Sequence, residues 1–250
     1  MVYTNAHRLF LQILSSRRFL LGQEVKSIHE KCCAKFNVSA DNLLEFVKEI
    51  NAELEQIHLV IRKSIQEDHA SDSQCFVLVN LFDNDATRMN STYTPPELAL
   101  FRKIIEAIVQ SEEGTIPITE AINMAFNLEQ RLKIGESEAL VERLVQDGWL
   151  LQHADEEKIL SLSALSTAEL QSYLEEQFED FIYKCFFCKL ISLKGYSCTQ
   201  CEVKVHRQCG GKFWVRNGTQ SPFCPDPKCA SSWSHLEIDL PRKRSKNQED

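Results

Sequence analysis

Apolar residues recur along the chain in two successive rounds of the same pattern. In the first round, Leu9, Phe10, Ile13 and Leu14 repeat at helical spacing and predict an amphipathic helix over residues 5–16. Phe19-Leu20-Leu21 followed by Gly22 predicts a short strand and a turn. A second helix is predicted over 24–36, with Val25, Ile28, Cys32 and Phe36 on one face. A third, capped by Ser39 or Asp41, runs to about residue 56 through Leu43, Leu44, Val47, Ile50 and Leu54. Two β runs close the round, at 58–62 and 75–82, on either side of the polar loop 68–73, which is a hairpin signal.

The polar stretch 83–93 reads as a linker, after which the pattern begins again. Thr94-Pro95-Pro96-Glu97 combines a capping box with proline at the first helical position. It predicts a helix over 95–110 that buries Leu98, Phe101, Ile104, Ile105 and Ile108. Gly114 ends that helix, and 116–118 is a short edge strand. Thr119 opens a second helix to about residue 127, and a third over 135–146 turns Leu140, Val141, Leu144 and Val145 inward. Asp147-Gly148 turns the chain into a strand at 149–151; a loop over 153–157 and a returning strand at 159–162 follow.

Helix, short strand, helix, helix, hairpin is the order of a winged-helix domain. The expected fold is therefore α+β and multi-domain, with tandem winged-helix domains over 1–83 and 94–165. Ser166-x-x-Glu169 predicts a further helix over 166–183, carrying Leu170, Tyr173, Leu174, Phe178, Phe181 and Ile182 as a stripe. Its other face holds Glu175, Glu176, Glu179 and Asp180. This connecting helix is expected to couple the second domain rigidly to a zinc module over 184–232, with a disordered basic tail over 233–250.

Charge changes the meaning of the helical halves. The chain carries 28 Lys and Arg against 36 Asp and Glu, a formal charge of −8, which opposes whole-chain attraction to nucleic acid. Where a winged helix reads DNA, its third helix enters the groove. Here that helix carries Glu136, Glu138 and Glu142 against Arg143 in the second domain. In the first it carries Asp41, Glu45, Glu49, Glu53 and Glu55 against Lys48. Both repel phosphate, so protein–protein packing is expected, with DNA contacted weakly or through partners. Residues 1–35 dissent: Arg8, Arg17, Arg18, Lys26, Lys31 and Lys35 face Glu24 and Glu30, a balance of +4. A solvated helix face and an auxiliary DNA contact both fit that balance.

No apolar stretch reaches the ~18 residues of a membrane span. Arg17 and Arg18 follow the first apolar run, the reverse of a secretory signal, so a cytosolic or nuclear compartment is expected. The run Pro241-Arg-Lys-Arg-Ser-Lys246 is either a nuclear import signal or a basic tail.

The candidate chemistry lies in one stretch, Cys185-x2-Cys188-x9-Cys198-x2-Cys201-x4-His206-x2-Cys209-x14-Cys224-x4-Cys229. Seven of the 10 cysteines and one histidine make eight soft ligands, enough for two tetrahedral zinc sites. An odd cysteine number and a reducing compartment disfavour a disulfide framework. A stretch of about 45 residues buries too little apolar surface to fold alone, whereas structural zinc supplies roughly 10–16 kcal/mol. Four protein ligands per ion leave no position for a catalytic water. Any activity then comes from the shape of the surface. Cys32, Cys33 and Cys75 have no ligand partners nearby and read as small core residues.

The ligand order of four Cys, one His and three Cys resembles the RING-variant and PHD class, in which two zinc ions are cross-braced. That resemblance implies Cys185, Cys188, His206 and Cys209 on one zinc, and Cys198, Cys201, Cys224 and Cys229 on the other. A sequential pairing is the alternative that spacing leaves open. A PHD-type histone reader carries tryptophan two residues before the seventh ligand and ends in Cys-x2-Cys; this chain has Pro222 and Cys224-x4-Cys229. A RING-type module docks a ubiquitin-conjugating enzyme in a shallow apolar groove, for which Phe186, Phe187, Trp214 and Pro225 are the candidates. The bland reading makes these aromatics the small core of the module. Ala230 stands where many active RING modules carry an arginine that grips ubiquitin, so weak, partner-dependent activity is expected. A third reading is a structural interaction module whose cations, from Lys189 to Lys228, partly offset the zinc–thiolate centres.

Over roughly residues 1–235 the chain resembles the family of the first non-SMC element, the RING-variant subunit of the structural-maintenance-of-chromosomes complex that works in DNA repair. The match is carried by Cys185-Phe-Phe-Cys188, Cys198-Thr-Gln-Cys201, His206-Arg-Gln-Cys209 and the Cys224-Pro-Asp-Pro-Lys-Cys229 end. The start, Val2-Tyr-Thr-Asn-Ala-His-Arg-Leu-Phe-Leu-Gln12, is similar to that family's start. The resemblance implies a nuclear, chromatin-associated ubiquitin ligase subunit acting in double-strand-break repair by homologous recombination. It implies two structural zinc ions, a MAGE-type winged-helix partner that stimulates the ligase, a kleisin subunit and a ubiquitin-conjugating enzyme. A non-enzymatic architectural subunit of the same complex is the alternative.

Overall fold

A computed structural model describes residues 3–67, 72–81, 93–153, 158–218 and 221–233. Residues 83–92 of the linker, the hairpin loop at 68–71, the loop at 154–157 and the tail from 234, with its basic run at 241–246, lie outside the described residues. The chain divides into two compact units, Met1–Ile182 and Tyr183–Asp250.

The first unit repeats one order of elements. Its first half runs α1 (Asn5–Arg17), β1 (Phe19–Leu21), α2 (Gly22–Lys35), α3 (Leu43–Leu54), β2 (Leu59–Gln66) and β3 (Ser73–Asn80). The strands form an antiparallel sheet in the order β1-β3-β2. Phe10 and Leu14 of α1, Val25, Cys32 and Cys33 of α2, and Phe46 and Ile50 of α3 close one core with Leu20, Ile61 and Phe76. Each such side chain contributes roughly 1.5–3 kcal/mol on full burial. The edge strand β2 is not left bare. Asn51 of α3 donates from Nδ2 to Ile61 O at 3.0 Å and accepts Ile61 N–H at 2.7 Å, satisfying an open rung of the ladder.

Three local expectations shift here. The cap of α3 is Asn42, in place of Ser39 or Asp41; its Oδ1 accepts the N–H groups of Leu44 and Glu45, at 3.0 and 3.3 Å. Starting the helix there turns Phe46 inward and leaves Leu44 54% exposed. Phe36 sits beyond the last turn of α2, off its buried face. The hairpin is also longer than the first apolar run, because β2 continues through Ser64 to Gln66 under cover from elsewhere in the unit.

The second half repeats the order with α4 (Pro95–Gln110), β4 (Ile116–Pro117), α5 (Ile118–Asn123), a 3-10 turn at Met124–Asn127, α6 (Ile134–Gln146), β5 (Leu150–Gln152) and β6 (Ile159–Leu162). Its sheet order, β4-β6-β5, matches that of the first half. The capping box forms as its residues require: Glu97 Oε2 accepts Thr94 N–H at 2.7 Å and the Thr94 hydroxyl at 2.9 Å. Gly148 takes φ +80°, the left-handed turn that delivers Trp149 to the core.

The expected single helix over 166–183 is two short ones, α7 (Ala164–Glu169) and α8 (Gln171–Gln177). Ser163 is the cap, accepting Ser166 N–H at 3.1 Å, so Ser166 lies inside the helix and donates its hydroxyl to Trp149 O. The backbone leaves helical geometry at Leu170 and again at Phe178, which leaves Phe181 43% exposed. α7 packs on the sheet of the first half: Ala164, Leu165 and Ala168 bury against Cys75, Val77 and Val79. Gln66 Oε1 accepts Ala164 N–H at 3.0 Å, and Arg62 Nη1 donates to Gln171 Oε1 at 3.3 Å. Those contacts cover the C-terminal part of β2.

A buried histidine gives the first half a pH dependence. His7 is 1% exposed and stacks on Phe46 at 3.9 Å. Its Nδ1 accepts Thr4 N–H at 3.0 Å, which puts the proton on Nε2, 3.1 Å from Glu49 Oε2. Burial lowers the His7 pKa, opposed by Glu49 and aided by His29; burial lowers His29 too, opposed by Glu30. Tyr3, Arg8 and Glu53 also face this corner. The unfolded chain therefore binds protons first, near the free value of about 6.5. Stability is full above that pH and is lost as pH falls from it to the lowered folded values. Urea midpoints measured from pH 7 to pH 5 should fall, and His7→Gln should flatten the fall; an unchanged slope would refute the assignment.

Candidate metal centre

Three tight turns and one helix place the eight ligands. β7 (Tyr183–Lys184) pairs with β8 (Ile191–Ser192) and leads into the first turn, where Lys189 N–H bonds Cys185 O at 2.9 Å. β9 (Tyr196–Ser197) pairs with β10 (Lys204–Val205) and frames the second, closed by Cys198 N–H on Val203 O at 2.9 Å. His206 caps α9 (Arg207–Arg216), whose first turn carries Cys209. In the third turn, Asp226 organises the four residues between Cys224 and Cys229: its carbonyl accepts Cys229 N–H at 3.0 Å and its carboxylate accepts Lys228 N–H at 2.9 Å.

These turns bring together two quartets, Cys185 with Cys188, His206 and Cys209, and Cys198 with Cys201, Cys224 and Cys229. Within each quartet all ligand atoms lie within 4.8 Å of one another. The quartets interleave along the chain. Cys198 Sγ is 3.7 Å from Cys229 Sγ, and Cys201 Sγ is 3.6 Å from Cys224 Sγ. A tetrahedron with metal–sulfur bonds of ~2.3 Å has edges of about 3.8 Å, so the spacing fits a four-coordinate ion. It is too long for disulfides, whose sulfurs sit ~2.05 Å apart. His206 Nδ1 is 3.3 Å from Cys188 Sγ and 3.9 Å from Cys209 Sγ, while its Nε2 is 2.9 Å from Ile191 O. With the proton held on Nε2 by that carbonyl, Nδ1 keeps its lone pair for a metal.

The electrostatics point the same way. Hydrogen bonds from the Cys188 and Cys209 thiols push Cys185 far below the ordinary thiol value, and the resulting thiolate holds Cys209 far above it. Burial opposes ionisation of Cys198, yet the Ser231 hydroxyl and the Gln200 N–H bring it down to about 5. Burial raises Cys224 in the same quartet. Four adjacent thiols cannot all ionise against each other; a divalent cation in their midst removes that conflict.

The four docking candidates separate. Phe187 is 36% exposed and Phe186 is half-buried. Trp214 is a correction: it is fully buried, T-stacked on Trp233 at 5.6 Å, and its indole N–H donates to Phe223 O at 3.0 Å. Its side chain belongs to the core between the quartets and offers nothing to a groove. Pro225 is buried as well, held inside the third turn. Around exposed Phe187 the aromatic edge is completed by half-buried residues that spacing did not single out: Phe213 stands 4.9 Å from Phe187 and 5.6 Å from Phe223. Trp233, four residues past the last ligand, is a second correction: expected to open the disordered tail over 233–250, it is fully buried in the core against Trp214.

Glycine is required where backbone meets ring. A Cβ on Gly210 would lie 2.7 Å from the Trp214 ring. Gly210→Ala should loosen α9 beside Cys209 and weaken metal retention several-fold in a chelator competition. Retention equal to the parent would show that the ring yields.

Comparison with known proteins places the chain. A family model described as the Nse1 non-SMC component of the SMC5-6 complex matches residues 7–170. The non-structural maintenance of chromosomes element 1 homolog of Xenopus tropicalis is 34% identical over 238 residues, 94% of this chain and 85% of that protein. The human homolog is 30% identical over 237 residues, covering 94% and 86%. Element 1 of Schizosaccharomyces pombe is 25% identical over 207 residues, covering 82% and 85%. A chain of a solved Nse1-Nse3-Nse4 complex aligns with a TM-score of 0.77 at 30% identity, over 94% of this chain and 99% of that one. The chain belongs to the Nse1 family, the non-SMC component of the SMC5-6 complex.

Proposed function

We propose that the chain is a RING-type E3 ubiquitin ligase subunit of a nuclear, chromatin-associated SMC-type complex acting in double-strand-break repair by homologous recombination. On this reading the first unit is a pair of winged-helix domains that pack against a MAGE-type protein and a kleisin, the classes expected of Nse3 and Nse4 in the solved relative. The second unit is a cross-braced RING variant holding two zinc ions. The observation that carries the reading is the combination of two interleaved metal quartets with an exposed Phe187, backed by half-buried Phe213, on one small module.

Zinc, when bound, supplies folding energy and fixes the three turns; with four protein ligands each, the ions stay out of the chemistry. Phe187 and Phe213 would receive the apolar loops of a ubiquitin-conjugating enzyme. Transfer then proceeds by proximity: the charged enzyme is held near the substrate amine and restrained for attack. Among the described residues none is assigned as acid, base or nucleophile. Ala230, exposed with φ +45° just past the last ligand, gives ubiquitin no cationic grip, which supports dependence on the partner.

The burial of Trp214 favours one second reading, a non-enzymatic architectural subunit whose module is only a docking surface. A ubiquitination assay with the purified MAGE-type pair and a panel of conjugating enzymes separates the two. Signal above a Cys198→Ser control supports the ligase; none across the panel leaves the architectural role.

A further inference from the structure

We propose that Thr94 is a phosphorylation site for a proline-directed serine/threonine kinase, and that its phosphate is received by Arg143. Thr94 is exposed and is followed by exposed Pro95. Its backbone is extended, at φ −73° and ψ 159°, the form in which a kinase cleft takes a substrate. Residues 95 and 96 are both proline and carry no N–H, so the first turn of α4 has little backbone bonding to lose when the cleft engages it. What closes that turn is the Glu97 cap and Leu98 N–H on Thr94 O at 3.0 Å. The sequence holds one other Ser/Thr-Pro pair, Ser221-Pro222. There the proline is buried, so a cleft that reads proline cannot seat it.

The step transfers the γ-phosphoryl group of ATP to Thr94 Oγ1. The bond from the γ-phosphorus to the β–γ bridging oxygen breaks, an Oγ1–phosphorus bond forms, ADP leaves, and the hydroxyl proton passes to the kinase base. The product has lost the proton that Thr94 Oγ1 gives to Glu97 Oε2 at 2.9 Å and sets a dianion against that carboxylate. A receiver is already in place. Arg143 Nη2 holds Glu97 Oε1 at 2.7 Å, its side chain is 40% exposed, and its Nε is buried without a hydrogen-bond partner. The positive end of the α4 dipole favours the phosphate as well.

The modification reaches a seam. The Arg143 guanidinium lies 4.6 Å over the Tyr93 ring, and Tyr93 OH donates to Asp147 Oδ2 at 2.5 Å. Asp147 O accepts Arg18 Nη1 at 3.0 Å, and Arg18 comes from the first half of the unit. Drawing Arg143 toward Thr94 therefore pulls on the polar chain that ties the two halves together.

The test treats the native full-length chain with a cyclin-dependent-type kinase and ATP and maps phosphate by mass spectrometry. The expected result is phosphate on Thr94, at least tenfold less of it in Pro95→Ala, and little on Ser221. A native chain without phosphate on Thr94, or one whose modification ignores Pro95→Ala, overturns the site. Melting then tests the receiver: phosphorylation should lower the midpoint of Arg143→Gln by about 3 °C more than that of the parent. Equal shifts in the two backgrounds overturn the role of Arg143.

Discussion

Stripping metal with a chelator unfolds residues 183–233 and leaves the melting of the 1–182 unit in place. The argument is one of core size. The buried cluster of the second unit contains Cys185, Cys198, Val205, Trp214, Cys224 and Trp233. Three of those six are ligands, so without an ion the buried apolar side chains of this unit are chiefly two tryptophans, Val205, Ile191 and Leu193. Ordering some 50 residues costs roughly 1–2 kcal/mol each in backbone entropy, far more than these few side chains return. If the metal is zinc, as proposed, its binding would contribute roughly 10–16 kcal/mol, and that energy would be the folding energy. The readout is built in. Trp214 and Trp233 are fully buried in this unit, while Trp149 sits in the other. Chelation should red-shift the emission of two tryptophans in three while the helical circular dichroism of the first unit persists. Release of two ions per chain with no change in emission would show that the module stands without them.

Trp214→Ala should destabilise the second unit by about 3–5 kcal/mol, whereas Phe187→Ala should leave it folded and lower ubiquitin transfer at least tenfold. The difference in outcome follows from where each ring lies. Trp214 fills the space between the quartets, and its removal leaves a cavity and an unpaired Phe223 carbonyl. Phe187 keeps 36% of its surface in water and packs edge-on to Phe186 at 5.5 Å. Metal content and chelator resistance of the purified variants give the first comparison; the reconstituted ligase assay gives the second. A Phe187→Ala chain with full metal content and full transfer would remove the docking edge from the proposal.

Local signals carried much of the fold. The Thr94 capping box, the helix over 95–110 and the Gly148 turn are written in neighbouring residues, and each forms where those residues put it. Ligand spacing likewise names the eight metal-binding candidates, because a two-residue gap between cysteines fits one ion whatever the rest of the chain does. What escaped is non-local. The residues after 163 read as one long stripe because the period is helical throughout, but Ala164, Leu165 and Ala168 answer to the sheet of the first half, some 90 residues earlier. Competition between that docking site and the helical period breaks the element at Leu170. Trp214 failed for a related reason. Its place between the ligands marks it as an aromatic of the module, but whether its ring faces a partner or a second tryptophan depends on Trp233 and Gly210, and neither is one of the ligands.

Synthesis on the ribosome runs from the N-terminus, and α7 on the β2–β3 hairpin sets how far it must go. Until residue 168 has left the exit tunnel, Cys75, Val77 and Val79 lack the cover of Ala164, Leu165 and Ala168. A nascent or truncated chain ending near residue 93 would present a sticky sheet face to chaperones and to its own copies. Fragments for expression should therefore keep the first 182 residues together, and nonsense or frameshift lesions between 94 and 163 should yield aggregates rather than a working half.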